Sequence, residues 1–386
     1  MLKMAVGQSD DVDPEAAIDD AVAQAKAQLG DATPKAAILF AAFDAFDPSL
    51  VERVRRAFPG IDVIGATSAA EMSSVAGYLE DSVALAVFAS DNLELAAGMG
   101  VGIETDPATA AHDAIAQARA RLTRDPRLCI VLTEGINAQR VIKALRDELP
   151  ADVLIVGGAA GRHELGGNAP TYQFCNDKLS ATGVVVLLMA GPVALSTAVG
   201  TGWRILGPRG TITAAGYGVI KEIDGQPAAQ WASAYLDMSS ATYGNPLAIQ
   251  DAGTDDWYLR VALATDGQGG LRIPGEVPVG ASVQLTTTSP DEMLRASEAA
   301  VERARAAFPE GASPQAALFF SCAVRKYLLG TRTGQELASA RDLLPQSLPI
   351  AGMYCIGEIA PTGAATAGAT DSHFLNETFV TLLMGS

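Results

Sequence analysis

The amino-acid sequence predicts an α/β fold built from three similar β-α-β-α-β-β units. Apolar strand runs alternate with amphipathic helices along most of the chain, which is typical of layered α/β domains. The same spacings also recur, which indicates internal repeats. Ile38 to Pro59 and Cys129 to Pro150 each span 21 residues, and Gly157 to Met189 and Gly352 to Met384 each span 32 residues.

Each unit opens with a short strand and a helix whose start is marked by a capping residue followed by proline. The three starts are Asp13-Pro14, Asp106-Pro107 and Ser289-Pro290, preceded by predicted strands at 4–7, 97–103 and 283–287. A buried strand, a second helix, a strand that reaches a glycine and a closing strand follow. The units cover about 4–90 (repeat 1), 95–191 (repeat 2) and 281–386 (repeat 3).

Three similar units indicate pseudo-threefold packing, with linear stacking of repeats as the alternative. The segment 192–280 breaks the pattern between repeats 2 and 3. It is rich in glycine and short β runs, and it holds all three tryptophans, Trp203, Trp231 and Trp257. We expect an inserted β-rich module there, with one helix around 227–236.

Composition narrows the possible functions of the 386-residue chain. It has 44 acidic and 27 basic residues and a net charge of −17, so nucleic acid and anionic membrane surfaces are unlikely partners. The 49% of hydrophobic residues argues against disorder. The sequence has no apolar run of about 20 residues and no signal peptide, which predicts a cytoplasmic protein without membrane insertion. The four cysteines are widely separated, which favours buried core thiols over metal or redox sites.

Several motifs occur in an order that identifies a family. Gly202-Trp203-Arg204-Ile205-Leu206-Gly207-Pro208 is followed by Asp224-Gly225-Gln226-Pro227-Ala228, then by Ser321-Cys322-Ala323-Val324-Arg325 and Gly357-Glu358-Ile359. This ordered set, over roughly 35–366, resembles the FIST family. The resemblance implies a FIST N-like region at 1–214 and a FIST C-like region at 215–386.

The FIST resemblance implies a sensory role in signal transduction, with a small ligand such as an amino acid. No receptor, kinase or cyclase segment is visible in the sequence, so we expect a stand-alone sensor that acts through a separate signalling protein. The resemblance also leaves open a haem-binding sensor of nitric oxide.

Candidate ligand-binding residues lie where predicted strands end. Counting six residues past the glycine of each second strand gives Glu71, His163 and Glu358, at the edge where α/β sheets bind ligands. Two acids and one histidine suit a ligand ammonium group, and the alternative is that they are ordinary loop residues. Arg204 and Arg325 suit a ligand carboxylate, with a structural salt bridge as the alternative. Thr171 and Trp203 complete the predicted ligand-binding set.

Two other functions remain as alternatives. A haem would need an axial ligand, for which His163 and His373 are the better placed of three histidines. A hydrolase with a site between the repeats would need a base beside Ser321 or Cys322, and no histidine or lysine is adjacent to them in the sequence. We therefore predict no catalytic residue, no metal and no cofactor.

Overall fold

A computed structural model describes residues 1–165, 169–236, 243–254, 256–366 and 371–386. Repeat 1 follows the predicted order of strands and helices. Its elements are β1 (Leu2–Ser9), α1 (Pro14–Leu29), β2 (Pro34–Ala42), a 3-10 turn (Phe43–Ala45), α2 (Pro48–Ala57), β3 (Asp62–Ser68), β4 (Ala70–Ser73), β5 (Gly77–Leu79) and β6 (Val83–Ser90).

Repeat 2 has the same order with a longer loop after its third strand. Its elements are β7 (Glu94–Val101), α3 (Pro107–Arg119), β8 (Pro126–Thr133), α4 (Ala138–Glu148), β9 (Leu154–Ala159), β10 (Gln173–Cys175), β11 (Lys178–Ser180) and β12 (Gly183–Ala190).

Repeat 3 begins with β13 (Ala194–Gly200) and is then interrupted by the inserted module. The module contains β14 (Arg204–Gly216), β15 (Val219–Ile223), β16 (Gln226–Pro227), α5 (Ala228–Ser233), β17 (Leu247–Gln250), β18 (Tyr258–Arg260), β19 (Ala264–Thr265), β20 (Leu271–Arg272) and β21 (Ser282–Thr287).

The rest of repeat 3 follows the module. It contains α6 (Pro290–Ala306), β22 (Pro314–Cys322), α7 (Ala323–Leu329), a 3-10 turn (Gly330–Arg332), α8 (Thr333–Asp342), β23 (Ile350–Cys355), β24 (Glu358–Pro361), β25 (Ala365–Thr366), β26 (Ser372–Leu375) and β27 (Phe379–Gly385).

The predicted helix starts are confirmed by their caps. The side chain of Asp13 accepts a hydrogen bond from the backbone of Glu15, and that of Asp106 accepts one from Thr109. Ser289 caps α6 in the same way. Each proline occupies the first turn, where the missing N–H costs nothing.

The three repeats build three equivalent mixed sheets, and each sheet is completed by a neighbour. The strand orders are β1-β6-β2-β3-β10-β11, β7-β12-β8-β9-β24-β26 and β13-β27-β22-β23-β4-β5. The hairpin of repeat 2 extends the sheet of repeat 1, that of repeat 3 extends repeat 2, and that of repeat 1 extends repeat 3. We call β4–β5, β10–β11 and β24–β26 the exchanged hairpins. Because the exchange closes into a ring, the packing is pseudo-threefold and not linear.

Backbone hydrogen bonds repeat the same cyclic pattern where the third strands of the repeats end. The three donors occupy equivalent positions in their repeats, and so do the three acceptors. Each bond joins the donor of one repeat to the acceptor of a neighbouring repeat. They run from Ala69 N to Tyr354 O (2.9 Å), from Ile356 N to Ala159 O (3.2 Å) and from Gly161 N to Thr67 O (2.7 Å). The chains of all three repeats therefore meet at this point, which we call the junction.

The core lies between the sheets. The inner faces of all three sheets contribute to one central apolar cluster, in which Phe40 of repeat 1 meets Phe320 of repeat 3 edge-on at 6.1 Å. The helices cover the outer faces, where three further clusters form, one for each repeat. Among the described residues, no helix is long and apolar enough to cross a membrane.

One boundary differs from the sequence prediction. The strand predicted at 283–287 to open repeat 3 is β21, which pairs with β14 and β17 inside the module. The true opening strand is β13, which pairs with β27 along its whole length. The module therefore enters after the first strand of repeat 3. The sequence misleads here because a strand directly before a capped helix is also what the inserted sheet supplies.

Glycine marks the opening strand because the first helix crosses it closely. A Cβ on Gly200 of β13 would stand 2.0 Å from the carbonyl oxygen of Ala296 in α6. Gly7 on β1 and Gly98 on β7 meet the carbonyls of Ala21 and Ala114 in the same way, at 1.9 and 2.0 Å. Only glycine permits this approach.

Gly200→Ala is expected to destabilise the protein by about 1–3 kcal/mol, because α6 must move away from β13. Gly363→Ala is the matched control, since a Cβ there meets nothing within 4 Å. Urea unfolding followed by circular dichroism measures both. Equal midpoints for the two variants would contradict the assignment of β13 as the packed opening strand.

Candidate functional site

Each exchanged hairpin carries a buried polar residue at the same position. Glu71 of β4 lies opposite Met353, Glu358 of β24 lies opposite Gly158, and Gln173 of β10 lies opposite Ala66. Each partner directly follows the glycine from which the six residues were counted in the sequence, now on β3, β9 or β23 of the neighbouring repeat. We call Glu71, Gln173 and Glu358 the hairpin polar residues. Their side chains are fully buried.

All three hairpin polar residues accept a backbone N–H from the first residue of the closing strand or the residue directly before it. Ser82 N donates to Glu71 (3.2 Å), Gly183 N donates to Gln173 (3.1 Å), and Thr378 N donates to Glu358 (3.0 Å). The hairpin polar residues thereby tie each hairpin to its own repeat while its strand extends the next sheet.

The two carboxyl groups receive further donors. The hydroxyls of Ser68 and Ser82 donate to Glu71. The thiol of Cys355 donates to Glu358 at 3.3 Å, and the Thr378 hydroxyl does so at 2.7 Å. Burial raises the pKa of each carboxyl to about 7, although these hydrogen bonds favour the charged form. Both groups therefore titrate near neutral pH.

A further buried carboxyl, Glu377, lies beside Glu358. Neither of its oxygens has a hydrogen-bond partner among the residues that the structure describes. Burial raises the pKa of Glu377 well above its ordinary value, against the opposing charge of Arg325. Burial therefore favours the neutral form of Glu377.

His163 does not occupy the position that the sequence count assigns to it. The residue equivalent to Glu71 and Glu358 in repeat 2 is Gln173. The count fails because the chain of repeat 2 makes a longer excursion between Ala159 and Gln173 before its hairpin begins. His163 lies within that excursion, with half of its side chain exposed.

His163 instead joins a cluster at the junction to which every repeat contributes. Lys326 Nζ lies 2.9 Å from His163 Nδ1 and 3.1 Å from Glu80 Oε2, and His163 Nδ1 lies 3.3 Å from the same oxygen. Lys326 also donates to the carbonyl of Ala69, one of the junction residues, at 3.0 Å. We call Glu80, His163 and Lys326 the junction site.

The junction site is open to solvent while its lysine is largely buried. The side chains of Glu80 and His163 are 40% and 50% exposed, and that of Lys326 is 10% exposed. Burial raises the pKa of Glu80, but hydrogen bonds from Tyr78 and Lys326 outweigh it and hold the pKa below its ordinary value. The site therefore presents a partly exposed carboxylate and imidazole beside a largely buried cation.

Arg325 has a structural partner, Glu336. Its Nε and Nη2 both donate to Oε1 of that carboxylate, at 2.9 and 2.7 Å, and both side chains are fully buried. The hydroxyls of Ser297, Ser321 and Tyr354 also donate to Glu336. Every part of this ion pair is hydrogen-bonded, as a buried pair requires.

The other predicted residues lie in separate places. Trp203 is buried, with Arg325 5.9 Å from its ring centroid. Arg204 is exposed on β14 and pairs with Glu292 of α6. Thr171 is buried beside Tyr172, whose N–H donates to the Thr67 hydroxyl at 3.0 Å. Within the predicted set, Arg325 lies near both Trp203 and Glu358, since its charge also acts to lower the pKa of Glu358.

Contacts of the candidate nucleophiles and histidines bear on the two alternative functions. Ser321 donates to Glu336 and not to a histidine. His112 contacts Glu148 at the surface, and His373 lies exposed on β26. The contacts of His163 are to Lys326 and Glu80. Among the described residues, Ser321 therefore contacts no histidine that could act as its base, and no two histidines contact each other.

Sequence reasoning missed Lys326, Glu80 and Gln173. Lys326 carried a local signal, because it follows Arg325 within the first turn of chain after a buried strand, near the edge of the sheet. Glu80 carried no signal beyond its place after a short strand. Gln173 could be found only by aligning hairpins, since the loop before it has no counterpart in the other repeats.

Comparison with known proteins identifies the family. A model of the FIST N domain matches residues 35–226, and a model of the FIST C domain matches residues 228–361. The chain belongs to the FIST family, with its two domains in tandem. FIST domains are sensory domains of signalling proteins.

Among individual proteins, the chain is similar to uncharacterized proteins of two Mycobacterium tuberculosis strains, CDC 1551 / Oshkosh and H37Rv. Each is 25% identical over 393 residues, which covers 95% of this chain and 97% of the relative. Among solved structures, cyanuric acid hydrolase from A. caulinodans aligns over 99% of both chains with 11% identity and a TM-score of 0.34. At that score the likeness carries no information about activity.

Glu71→Gln is expected to change how stability depends on pH. The folded-state pKa of Glu71 is raised from 4.5 to about 7, so its proton stabilises the wild-type fold at low pH. That contribution is lost as the pH rises from the unfolded to the folded pKa, and amounts to about 3 kcal/mol. Glu71→Gln has no titrating group at this position, so its stability does not fall in this way as the pH rises. Gln173, the equivalent residue of repeat 2, shows that an amide fits the position.

Urea midpoints at about pH 5 and about pH 8.5 measure the effect. The midpoint of the variant should gain on that of the wild type as the pH rises. Glu302→Gln, on the exposed side of α6, is the matched control and should follow the wild type. Identical pH profiles for wild type and Glu71→Gln would show that Glu71 does not titrate in this range.

Proposed function

We propose that this FIST protein senses a small zwitterionic metabolite, an amino acid or a close relative, and binds it at the junction site. The observation that carries the proposal is the meeting of Glu80, His163 and Lys326, each from a different repeat, within 3.3 Å of a neighbour at a solvent-accessible point. The family's sensory role supports it.

The chemistry of the junction site suits a molecule with both charges. The buried ammonium of Lys326 is placed to receive a carboxylate, because its side chain is held by the Ala69 carbonyl. The Glu80 carboxylate is placed to receive an ammonium group. The ring N–H of His163 supplies a further donor to the carboxylate. A zwitterion replaces the direct Lys326–Glu80 contact with two charge-assisted hydrogen bonds.

The position of the site links binding to signalling. A ligand between Lys326 and Glu80 bridges repeats 3 and 1, and contact with His163 adds repeat 2. Binding therefore favours the arrangement of repeats in which these groups converge, by the difference in affinity between arrangements. We propose that a separate signalling protein responds to this change.

Thermal unfolding in the presence of each standard amino acid tests the proposal. A ligand at about one hundred times its Kd stabilises the folded state by about 2.7 kcal/mol, so a true ligand raises the unfolding temperature. Lys326→Met should abolish the increase by removing the carboxylate partner. Lys143→Met, an exposed lysine on α4, is the matched control and should retain it.

Glu80→Gln separates the two ends of the ligand. This variant should weaken binding of the amino acid while preserving any binding of the corresponding simple carboxylate, because only the ammonium partner is lost. If no amino acid or related metabolite stabilises the wild type, the proposed function is wrong. Equal responses of Lys326→Met and Lys143→Met would place the binding elsewhere.

A further inference from the structure

The three exchanged hairpins differ at one equivalent position. On the second strand of each hairpin, Tyr78 lies opposite Met72, Phe374 lies opposite Ile359, and Leu179 lies opposite Phe174. Two of the three repeats thus place an aromatic ring at this point, and the third places a leucine.

The two aromatic rings fill the space between their hairpin and the sheet or helices of the neighbouring repeat. Phe374 is 1% exposed and belongs to the apolar cluster on the outer face of repeat 2. Tyr78 packs edge-on against Tyr354 of repeat 3 at 5.6 Å. Leu179 is too short to do the same and is 42% exposed.

A cleft of about 350 Å³ lies at the Leu179 position, between α2 of repeat 1 and the hairpin of repeat 2. We call it the aromatic cleft. Its apolar wall consists of Phe46, Pro48, Val51, Phe174 and Leu179. Phe46 stacks on Phe174 with ring centroids 5.1 Å apart and planes at 10°. Phe46 also stacks on Tyr172, with ring centroids 6.2 Å apart. The ring of Phe46 is only partly buried, so an exposed part of it remains available to a further ring.

The rim of the aromatic cleft carries cations without acidic partners. Among the described residues, Arg55 forms no ion pair or hydrogen bond, and Lys178 has a single long contact, 3.5 Å to Gln117. Of the two rim acids, Glu52 is paired with Arg56, which leaves the single carboxylate of Asp177 to offset the charges of Arg55 and Lys178. In a chain with a net charge of −17, this local excess of positive charge favours an anion.

We propose that the aromatic cleft is a second ligand site, which binds a small planar aromatic carboxylate. The ring occupies the place that Tyr78 and Phe374 fill in the other repeats, against Phe46 and Leu179. The carboxylate meets Arg55 and Lys178 at the rim, where the guanidinium offers a bidentate contact. The site is independent of the junction site and does not rest on the proposed function.

Isothermal titration of the full-length protein with phenylacetate and benzoate tests this inference. At least one of them should bind. The uncharged amides phenylacetamide and benzamide, and the non-aromatic cyclohexanecarboxylate, should bind about tenfold more weakly, because each lacks one of the two contacts. Binding of neither aromatic carboxylate at millimolar concentration would overturn the proposal.

Two variants and two controls locate the binding. Leu179→Phe supplies the ring from the protein itself, so it should eliminate binding and raise the unfolding temperature of the unliganded protein. Arg55→Ala should weaken binding about tenfold by removing the carboxylate partner. Arg305→Ala, at an exposed arginine on α6, and Lys326→Met at the junction site should leave the affinity unchanged. Unchanged affinity in both Leu179→Phe and Arg55→Ala would show that the ligand binds elsewhere.

Discussion

The cyclic exchange of hairpins is the constraint on which the rest of the structure depends. No repeat completes its own sheet, because the last two strands of each come from the neighbour. A separated repeat would expose an unpaired strand edge and the inner face of its sheet, which is buried in the central core. The exchange also carries a polar side chain from each hairpin to the same depth in the adjoining sheet. The same exchange of hairpins therefore produces both the fold and the arrangement of buried polar residues at the candidate site.

Buried ionisable groups concentrate where the repeats meet, and they are stabilised in two different ways. Arg325 and Glu336 neutralise each other within a complete set of hydrogen bonds, so their charges are compatible with burial. In the described part of the chain, Glu71 and Glu358 have hydroxyl, thiol and backbone donors but no cation in direct contact, and burial raises their pKa values to about 7. The region combines a rigid ion pair with carboxyl groups that change protonation near neutral pH.

Departures from threefold symmetry mark the places where ligands are proposed. Glutamate occupies two hairpin positions and glutamine the third. An aromatic ring fills the hairpin–helix space twice, and at Leu179 it does not. The junction site has three different side chains, one from each repeat. It can therefore distinguish the two ends of a ligand, which three identical side chains could not. A repeated fold thus supplies the scaffold, and local substitutions supply the asymmetry that recognition of one small molecule needs.

The sequence alone determined the fold class, the three repeats, the helix starts and the family. Spacing, proline caps and apolar runs are local signals, and local signals survive in a single sequence. It also placed Glu71 and Glu358 at equivalent positions, because the chain between strand and hairpin has the same length in repeats 1 and 3. It misplaced the third equivalent in repeat 2, where a longer loop breaks the count, and it read a strand of the module as the start of repeat 3.

Only the tertiary structure decided which residues meet. Lys326, His163 and Glu80 are far apart in the chain and become neighbours because three repeats close into a ring. Arg325, which the sequence offered as a carboxylate ligand, is committed to Glu336 once α7 and α8 pack together. Each hairpin pairs with a strand that is distant in the sequence, and the strand edges of the three repeats are chemically similar. Local sequence patterns therefore do not predict which edges pair. The sequence therefore determines the repeating elements, while the closed ring determines the sites.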